Sequence, residues 1–347
     1  MPEREAGEQA QHFYGGQAVI EGVMMRGEDH YGIAVRRSDG QVVLLSEPLS
    51  GWAVKPGWHK WPLIRGCYML VESLSLGMKA LQFSADVLTQ EEAEKAQAET
   101  GEGPAPEAPP TTMSRALMWL TTAFALALGI GLFLLLPTAV PRWIWGSKVM
   151  GLGAESILLN VVEGGVRLLI IILYILSISL MKYVRRVFEY HGAEHATINC
   201  YEAGEELTPA SCLRHTPLHP RCGSAFLLVV IVVKIIVGCF LGWPVLWLRM
   251  VLRLALLPVV AALAYEILRW AGRHRHSLLA TLLAGPGLLL QMLTTRRPDR
   301  SEIEIALYAL HGASAGRIPL PAGFPEPQRV DVRLQPLRRE VVSGGSC

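Results

Sequence analysis

Hydrophobic and polar positions follow three successive periods along the chain. Residues 31–37 (YGIAVRR) and 41–47 (QVVLLSE) alternate as strands do, and they flank Ser38-Asp39-Gly40, a strong hairpin signal. Upstream, Gly15 to Gly22 reads as one glycine-bounded strand. From 63 to 99 the spacing turns helical. Cys67, Leu74, Leu81 and Leu88 recur every seven residues, with Leu70, Met78 and Ala85 beside them. This stripe predicts an amphipathic cytoplasmic helix whose apolar face packs on a membrane surface, the β-element or a partner helix.

Residues 1–13 read as a flexible N-terminus without the apolar run of a cleavable signal peptide. Residues 14–90 form the β-element plus amphipathic helix, and 91–112, acidic and then Pro/Gly-rich, form a solvated linker. A membrane domain over 113–293 follows. Ala116–Leu136, Ile157–Met181, Gly223–Trp243 and Pro244–Trp270 each approach the roughly 20 residues that a crossing needs. The apolar run 278–293 is interrupted by Gly285-Pro286-Gly287, which predicts an interfacial or re-entrant pair of short helices. A C-terminal helix lies within 294–315, and the Pro-rich tail 316–347 has the composition of a disordered segment. The fold class is therefore mainly α: a polytopic membrane protein with about four transmembrane helices, a small N-terminal β-element and a cytoplasmic amphipathic helix.

Composition agrees. Of 347 residues, 51% are hydrophobic and 18% charged, against roughly 25% charged in soluble domains. Mean hydropathy is +0.32. The 32 basic and 30 acidic residues leave +2, which excludes a global polycation and with it nucleic-acid binding. Six irregularly spaced cysteines make no disulfide framework and read as reduced thiols. Lysines and arginines concentrate after the second span (Lys182, Arg185, Arg186, Arg214, Arg221) and after the fourth (Arg269, Arg273, Arg275, Arg296, Arg297, Arg300). By the positive-inside rule both termini and the 182–222 loop face the cytoplasm of a multi-pass cell-membrane protein. Inside the spans, Glu163, Arg167, Lys234 and Arg253 are costly in lipid and must face one another or water. They predict a shared polar layer that is either a self-satisfied network or a polar cavity.

Chemically competent side chains crowd into 191–222: His191, Glu194, His195, Cys200, Glu202, Cys212, His215, His219 and Cys222. On a helix continuing from the second span, His191, His195, Asn199 and Glu202 share one face. His191-Gly-Ala-Glu-His195 is an HxxEH string, in which the histidines hold zinc and the intervening glutamate acts as base. His219 and Cys222 add an imidazole and a thiolate, so His191, His195, His219 and Cys222 form a plausible tetrahedral N/S set for a divalent metal, zinc first, with Glu194 as the catalytic candidate. A closed four-ligand set argues for a structural ion, and an open position for catalysis.

Four motifs in order carry a family resemblance: Tyr14-Gly-Gly-Gln-Ala-Val-Ile-Glu-Gly-Val-Met-Met-Arg26; His191-Gly-Ala-Glu-His195 with Asn199-Cys-Tyr-Glu202; His219-Pro-Arg-Cys-Gly223; and Gly285-Pro-Gly-Leu-Leu-Leu-Gln-Met-Leu-Thr-Thr295. Over roughly 14–311 the chain resembles the YqhQ-like family of bacterial membrane proteins, which is described as predicted metal-dependent enzymes. Ala196 stands where that family suggests a basic residue, and Ser224-Ala225 replaces Thr-Ser. The resemblance implies that the N-terminal segment belongs to the functional unit. Gln17, Glu21 and Arg26 are its polar residues, with Glu21 a further ligand or base, or else part of a docked strand pair.

Three functions fit these readings. One is a metal-dependent hydrolase at the cytoplasmic face, acting on a membrane-associated protein, peptide or lipid. Another is a non-catalytic adaptor or assembly factor with a structural ion, partnered by other membrane proteins or by itself. A transporter is weaker, because no internal repeat is visible. The lipid bilayer is the partner common to all.

Overall fold

Alternating side chains and tight turns build the first part of the fold. The computed structural model describes residues 14–49, 61, 64–100, 112–145, 153–220, 222–274 and 277–330. Strands β1 (Gly15–Val19), β2 (Gly22–Arg26), β3 (His30–Arg36) and β4 (Val42–Pro48) form an antiparallel meander. The predicted 31–47 hairpin is present. The predicted single strand 15–22 is instead a tight hairpin: Val19 pairs with Gly22, and Glu21 takes φ 52° in the turn. A fifth strand, β5 (Gln328–Val330), pairs parallel to β4. Residues 317–330, predicted disordered, thus pack back on the sheet, and Tyr308 Oη donates to the Pro325 carbonyl at 2.6 Å. Residues 331–347 lie outside the described residues.

The period of two sorts the strands into two buried faces. Val19, Met24, Tyr31, Ile33, Val35, Val43 and Leu45 face α1 (Ile64–Thr100). On the opposite face, Val23, Met25, Ala34, Val42 and Leu44 meet α5 (Lys182–Glu202), the short α6 (Pro209–Cys212) and α11 (Arg300–Ala313). The result is a three-layer α/β/α unit. The Asp299 side chain caps α11 and accepts from Ser301 N–H, while Glu302 reaches back to the Asp299 N–H at 2.9 Å.

Helix α1 covers the helical spacing read over 63–99 and differs from expectation at the start of the linker and in the face it buries. It runs to Thr100, so residues 91–100 of the predicted linker are helical; 101–111 lie outside the described residues. The face buried on the sheet is Leu76, Ala80, Ser84 and Val87, whereas Leu74, Met78 and Leu81 of the heptad series are exposed. The helix carries apolar residues on two sides, and the side with small Ala80 and Ser84 comes close enough to pack on the strands. Its 37 residues reach about 55 Å. At its start, Arg65 pairs with Glu266 and the Cys67 thiol meets the Pro258 carbonyl at 3.2 Å. Of the expected partners, α1 packs on the β-element, and through Arg65 and Cys67 it bridges the sheet and the helical layer.

That layer contains α2 (Thr112–Ile130), a π-helical turn (Gly131–Leu135) and α3 (Leu136–Trp145), then α4 (Ala154–Ser179). It continues with α7 (Gly223–Leu241), α8 (Leu246–Ala255), α9 (Leu257–Arg273) and α10 (Leu278–Thr294). Among the described residues, Leu120–Trp145 and Ala154–Ser179 are long and apolar enough to cross a membrane. Helices α8 and α9, bent by 47°, would make a third span if they act as one. The apolar stretch of α7, Ala225–Leu241, falls short of that length, so the described helices supply two or three candidate crossings rather than four. Exposed Leu120, Phe124, Leu126 and Leu128 along α2 are the surface of a membrane protein.

Two further expectations change. Residues 278–293 form one helix through Pro286 rather than a broken pair, supported by packing of α10 on α7 and α9. The second span does not run on into the histidine segment. Backbone at Met181 is extended (φ −75°, ψ 129°), and α5 starts anew. Most of the predicted 182–222 loop is therefore helix.

Candidate metal centre

Helix α5 sets the geometry. His191 and His195 lie one turn apart, with ring centroids 4.5 Å from one another. Cys222, immediately before α7, reaches the same point: its Sγ is 3.2 Å from His191 Nε2. Donor atoms of His191, His195 and Cys222 all lie within 4.8 Å of one another.

Both rings are held by backbone carbonyls. His191 Nδ1 is 2.8 Å from the Thr294 carbonyl, at the end of α10, and His195 Nδ1 is 2.7 Å from the Pro217 carbonyl. A carbonyl only accepts, so each Nδ1 carries the hydrogen. In the neutral rings each Nε2 is then left with a bare lone pair. Burial, the largest influence on His195, pulls its pKa below the ordinary value and holds it in this neutral form; Cys222 opposes the shift.

Close backbone approach makes these contacts possible. A side chain at Gly192 would place its Cβ 1.9 Å from the Arg296 carbonyl oxygen, and Arg296 N–H donates to the Phe188 carbonyl at 2.9 Å. The glycine of the HxxEH string therefore lets the 294–296 segment lie against α5. Asn199 Nδ2 donates to the carbonyls of Thr216 (2.8 Å) and Leu218 (3.1 Å), pinning the segment that supplies Pro217. Fully buried Gln291 clamps His219 on both backbone groups, at 2.9 and 2.8 Å.

Glu194 turns toward the sheet. It is 3% exposed, and the Gly16 N–H of β1 donates to its carboxylate. A Cβ at Gly16 would stand 3.0 Å from that carboxyl group. The second oxygen, Oε2, is buried with no hydrogen-bond partner among the described residues. Burial is the largest influence on Glu194 and pushes its pKa above the carboxylate range, with His191 and His219 pulling the other way.

The predicted set is thus brought together in part. His191, His195 and Cys222 converge, while His219 sits beside them, its ring 5.7 Å from that of His195 and its Nε2 3.7 Å from Glu202 Oε2. Glu21 lies elsewhere, held by Arg186 and by Tyr190 Oη at 3.2 Å, and Arg26 pairs with Glu72 at 2.7 Å. Both have the role of docking the strands. Cys200, Glu205 and His215 form a second grouping of donors. Burial pushes the Cys200 thiol up, and that of neighbouring Cys212 also, which keeps them protonated core residues. Sequence reasoning left Gln291, Thr294 and Gly16 without roles. A single glutamine in a leucine run was the one signal available for them.

The family described as "Protein of unknown function (DUF1385)" matches residues 61–315. The "Uncharacterized protein YqhQ" of Bacillus subtilis (strain 168) is 33% identical over 296 residues, covering 85% of this chain and 90% of that protein. No solved structure matches the chain.

Proposed function

The chain belongs to the DUF1385 family, and from the geometry of the site we propose that it is a membrane-embedded protein whose His191, His195 and Cys222 hold a divalent metal, zinc in the first instance. The observation that carries this reading is the pair of Nδ1–carbonyl hydrogen bonds, which aim both Nε2 atoms at the Cys222 sulfur. Metal-bound histidines characteristically donate their other ring N–H in this way. Two imidazoles and a thiolate suit zinc. The buried orphan oxygen of Glu194 is a further polar group that a cation nearby would satisfy.

With His219 turned to Glu202, three donors leave a fourth position, the arrangement of catalytic sites rather than closed structural ones. A bound ion there supplies Lewis acidity toward a carbonyl or phosphoryl oxygen. Glu194 is the residue suited to hold and release the proton, since burial raises its proton affinity and one oxygen is unengaged. The reaction class is metal-dependent hydrolysis of a membrane-associated protein, peptide or lipid. We place the site on the cytoplasmic side of four crossings, with α7 and the α8–α9 pair as the third and fourth and both termini inside, because basic residues flank those ends.

A non-catalytic adaptor stapled by a structural ion is the second reading. It is favoured by the burial of His195, Glu194 and His219 at 2, 3 and 4% exposure. Elemental analysis of the purified full chain beside the double variant His191→Ala/His195→Ala tests the ion. About one divalent ion per chain is expected in the parent and none in the variant, and near-zero metal in both removes the site. Glu194→Gln separates the readings: metal retained with the cellular phenotype lost supports hydrolysis, whereas metal and phenotype both retained favour the adaptor. A tag after Cys347 that external protease reaches in intact cells would overturn the orientation.

A further inference from the structure

A cavity of about 110 Å³ lies between α4, α7, α8 and α9, toward the end of α4 remote from the histidine cluster. Its polar lining is Asn160, Glu163, Arg167, Lys234 and Arg253. Glu163, 1% exposed, is the single carboxylate in that lining. Arg253 grips both its oxygens, with Nη2 2.6 Å from Oε2. Arg167 donates Nη2 to Oε1 at 2.9 Å and Nε to the Phe133 carbonyl at 3.2 Å, and Thr138 Oγ1 donates to Oε1 at 3.3 Å. Two guanidinium groups therefore use up the carboxylate.

Two more cations remain. Lys234 lines the same cavity and makes no hydrogen bond or ion pair with the described residues. Arg249 lines an adjoining cleft that shares Asn160 and Arg253. It is 3% exposed, its guanidinium lies 3.9 Å over the Trp243 ring, and its Nε and Nη1 are buried without a hydrogen-bond partner among the described residues. Among the described residues lining the cavity and the cleft, four cations against one carboxylate leave a formal charge of +3. A network built only to satisfy itself would match its charges, since unpaired charge within an apolar helical layer is costly.

We propose that this cavity and the cleft it adjoins form a binding site for a phosphate-bearing anion, the headgroup phosphodiester of an anionic lipid or a soluble phosphate, with Lys234 in the cavity and Arg249 in the cleft as its charged contacts. Arg249 presents a planar donor fork suited to an oxyanion, and Lys234 supplies a point charge. Glu163, Arg167 and Arg253 are the frame that holds the helices around them. The space is several times the about 10–15 Å³ that admits one water, enough for a tetrahedral oxyanion but not for acyl chains. Exposed Leu254 and Leu257 of the adjoining helices offer such chains an apolar surface outside. The site is independent of the metal: Glu163 is separated from the far end of α4 by about 24 Å of helix.

The test uses the purified full chain in two arms. Native mass spectrometry after exchange into mixed phosphatidylglycerol and phosphatidylcholine counts retained lipid. Thermal unfolding in detergent compares inorganic phosphate with chloride at equal ionic strength. One phosphatidylglycerol retained per chain identifies a lipid site, and a rise in Tm with phosphate alone identifies a soluble anion. Lys234→Gln and Arg249→Gln are each expected to weaken whichever binding is seen about tenfold, as loss of a charged hydrogen-bond partner does. Arg185→Gln, an exposed arginine on α5, should leave it unchanged. Lys234→Gln is the deciding variant, because Lys234 has no partner among the described residues whose loss would unfold the chain. Parental protein that binds neither ligand, or Lys234→Gln that binds as the parent does, overturns the proposal.

Discussion

The histidine cluster and the Glu163 cluster both bury polar chemistry, but by opposite means. At His191 and His195 the ring Nδ1 atoms meet backbone carbonyls, which orient the rings without adding charge. Around Glu163 the partners are guanidinium groups, and positive charge exceeds negative. Fixed dipoles can hold neutral donors aimed at one point, as a cation site requires. Surplus cations create a field that only an anion or water relieves. The two ends of the helical layer are thus suited to ligands of opposite sign.

Breaking the charged cluster should have the largest effect. Glu163→Leu leaves Arg167 and Arg253 buried and unpaired, at a cost of about 3–5 kcal/mol, read as a large fall in the thermal midpoint of the detergent-solubilised chain. A small effect would mean that water already shields these groups and that the contrast is overdrawn. Gly192→Ala attacks the dipolar site. Its Cβ must displace the Arg296 carbonyl, which is expected to cost about 3 kcal/mol and to lower metal content, as elemental analysis would record. Gln291→Leu strips the backbone of His219 of both partners while touching no proposed ligand. We expect about 2 kcal/mol of destabilisation, read as a fall in the thermal midpoint.

The smallest expected effect is pH-dependent and lies away from both sites. Lys95 and the Ser38 hydroxyl hold the Glu91 carboxylate at a pKa of about 2, where about 4.5 is ordinary. A depressed carboxylate stabilises the fold above its unfolded pKa and loses that contribution as pH falls from about 4.5 toward 2. Glu91→Gln should therefore lower Tm at pH 7, and the difference from the parent should shrink between pH 4.5 and 2. A constant difference would show that packing, not charge, ties the β3–β4 hairpin to α1.

Much of the architecture was legible where a few neighbouring residues decide it. The Ser38-Asp39-Gly40 hairpin, the C-terminal helix and the first two spans follow from period and turn chemistry. The resemblance to the YqhQ-like family, carried by four short motifs, is borne out by the family match. Other elements were decided elsewhere. Helix α10 survives Gly285-Pro286-Gly287 because α7 and α9 pack against it, and the 317–330 segment is held by α11 and β4. The stripe of Leu74, Met78 and Leu81 satisfied the helical period as well as the buried one did, so period could not choose between two apolar faces.

By itself the sequence determined the apolar character of the helical layer, the strand alternation and the gathering of His191, Glu194, His195, His219 and Cys222 into one short stretch. Tertiary structure decided how those groups are oriented: which ring nitrogen is free, which residue Glu194 faces and which cations take Glu163. The partners responsible are Thr294, Gly16 and Arg253, distant along the chain. Periodicity registers what lies within a few residues, whereas a carbonyl or guanidinium brought in by a remote helix leaves no local pattern to read.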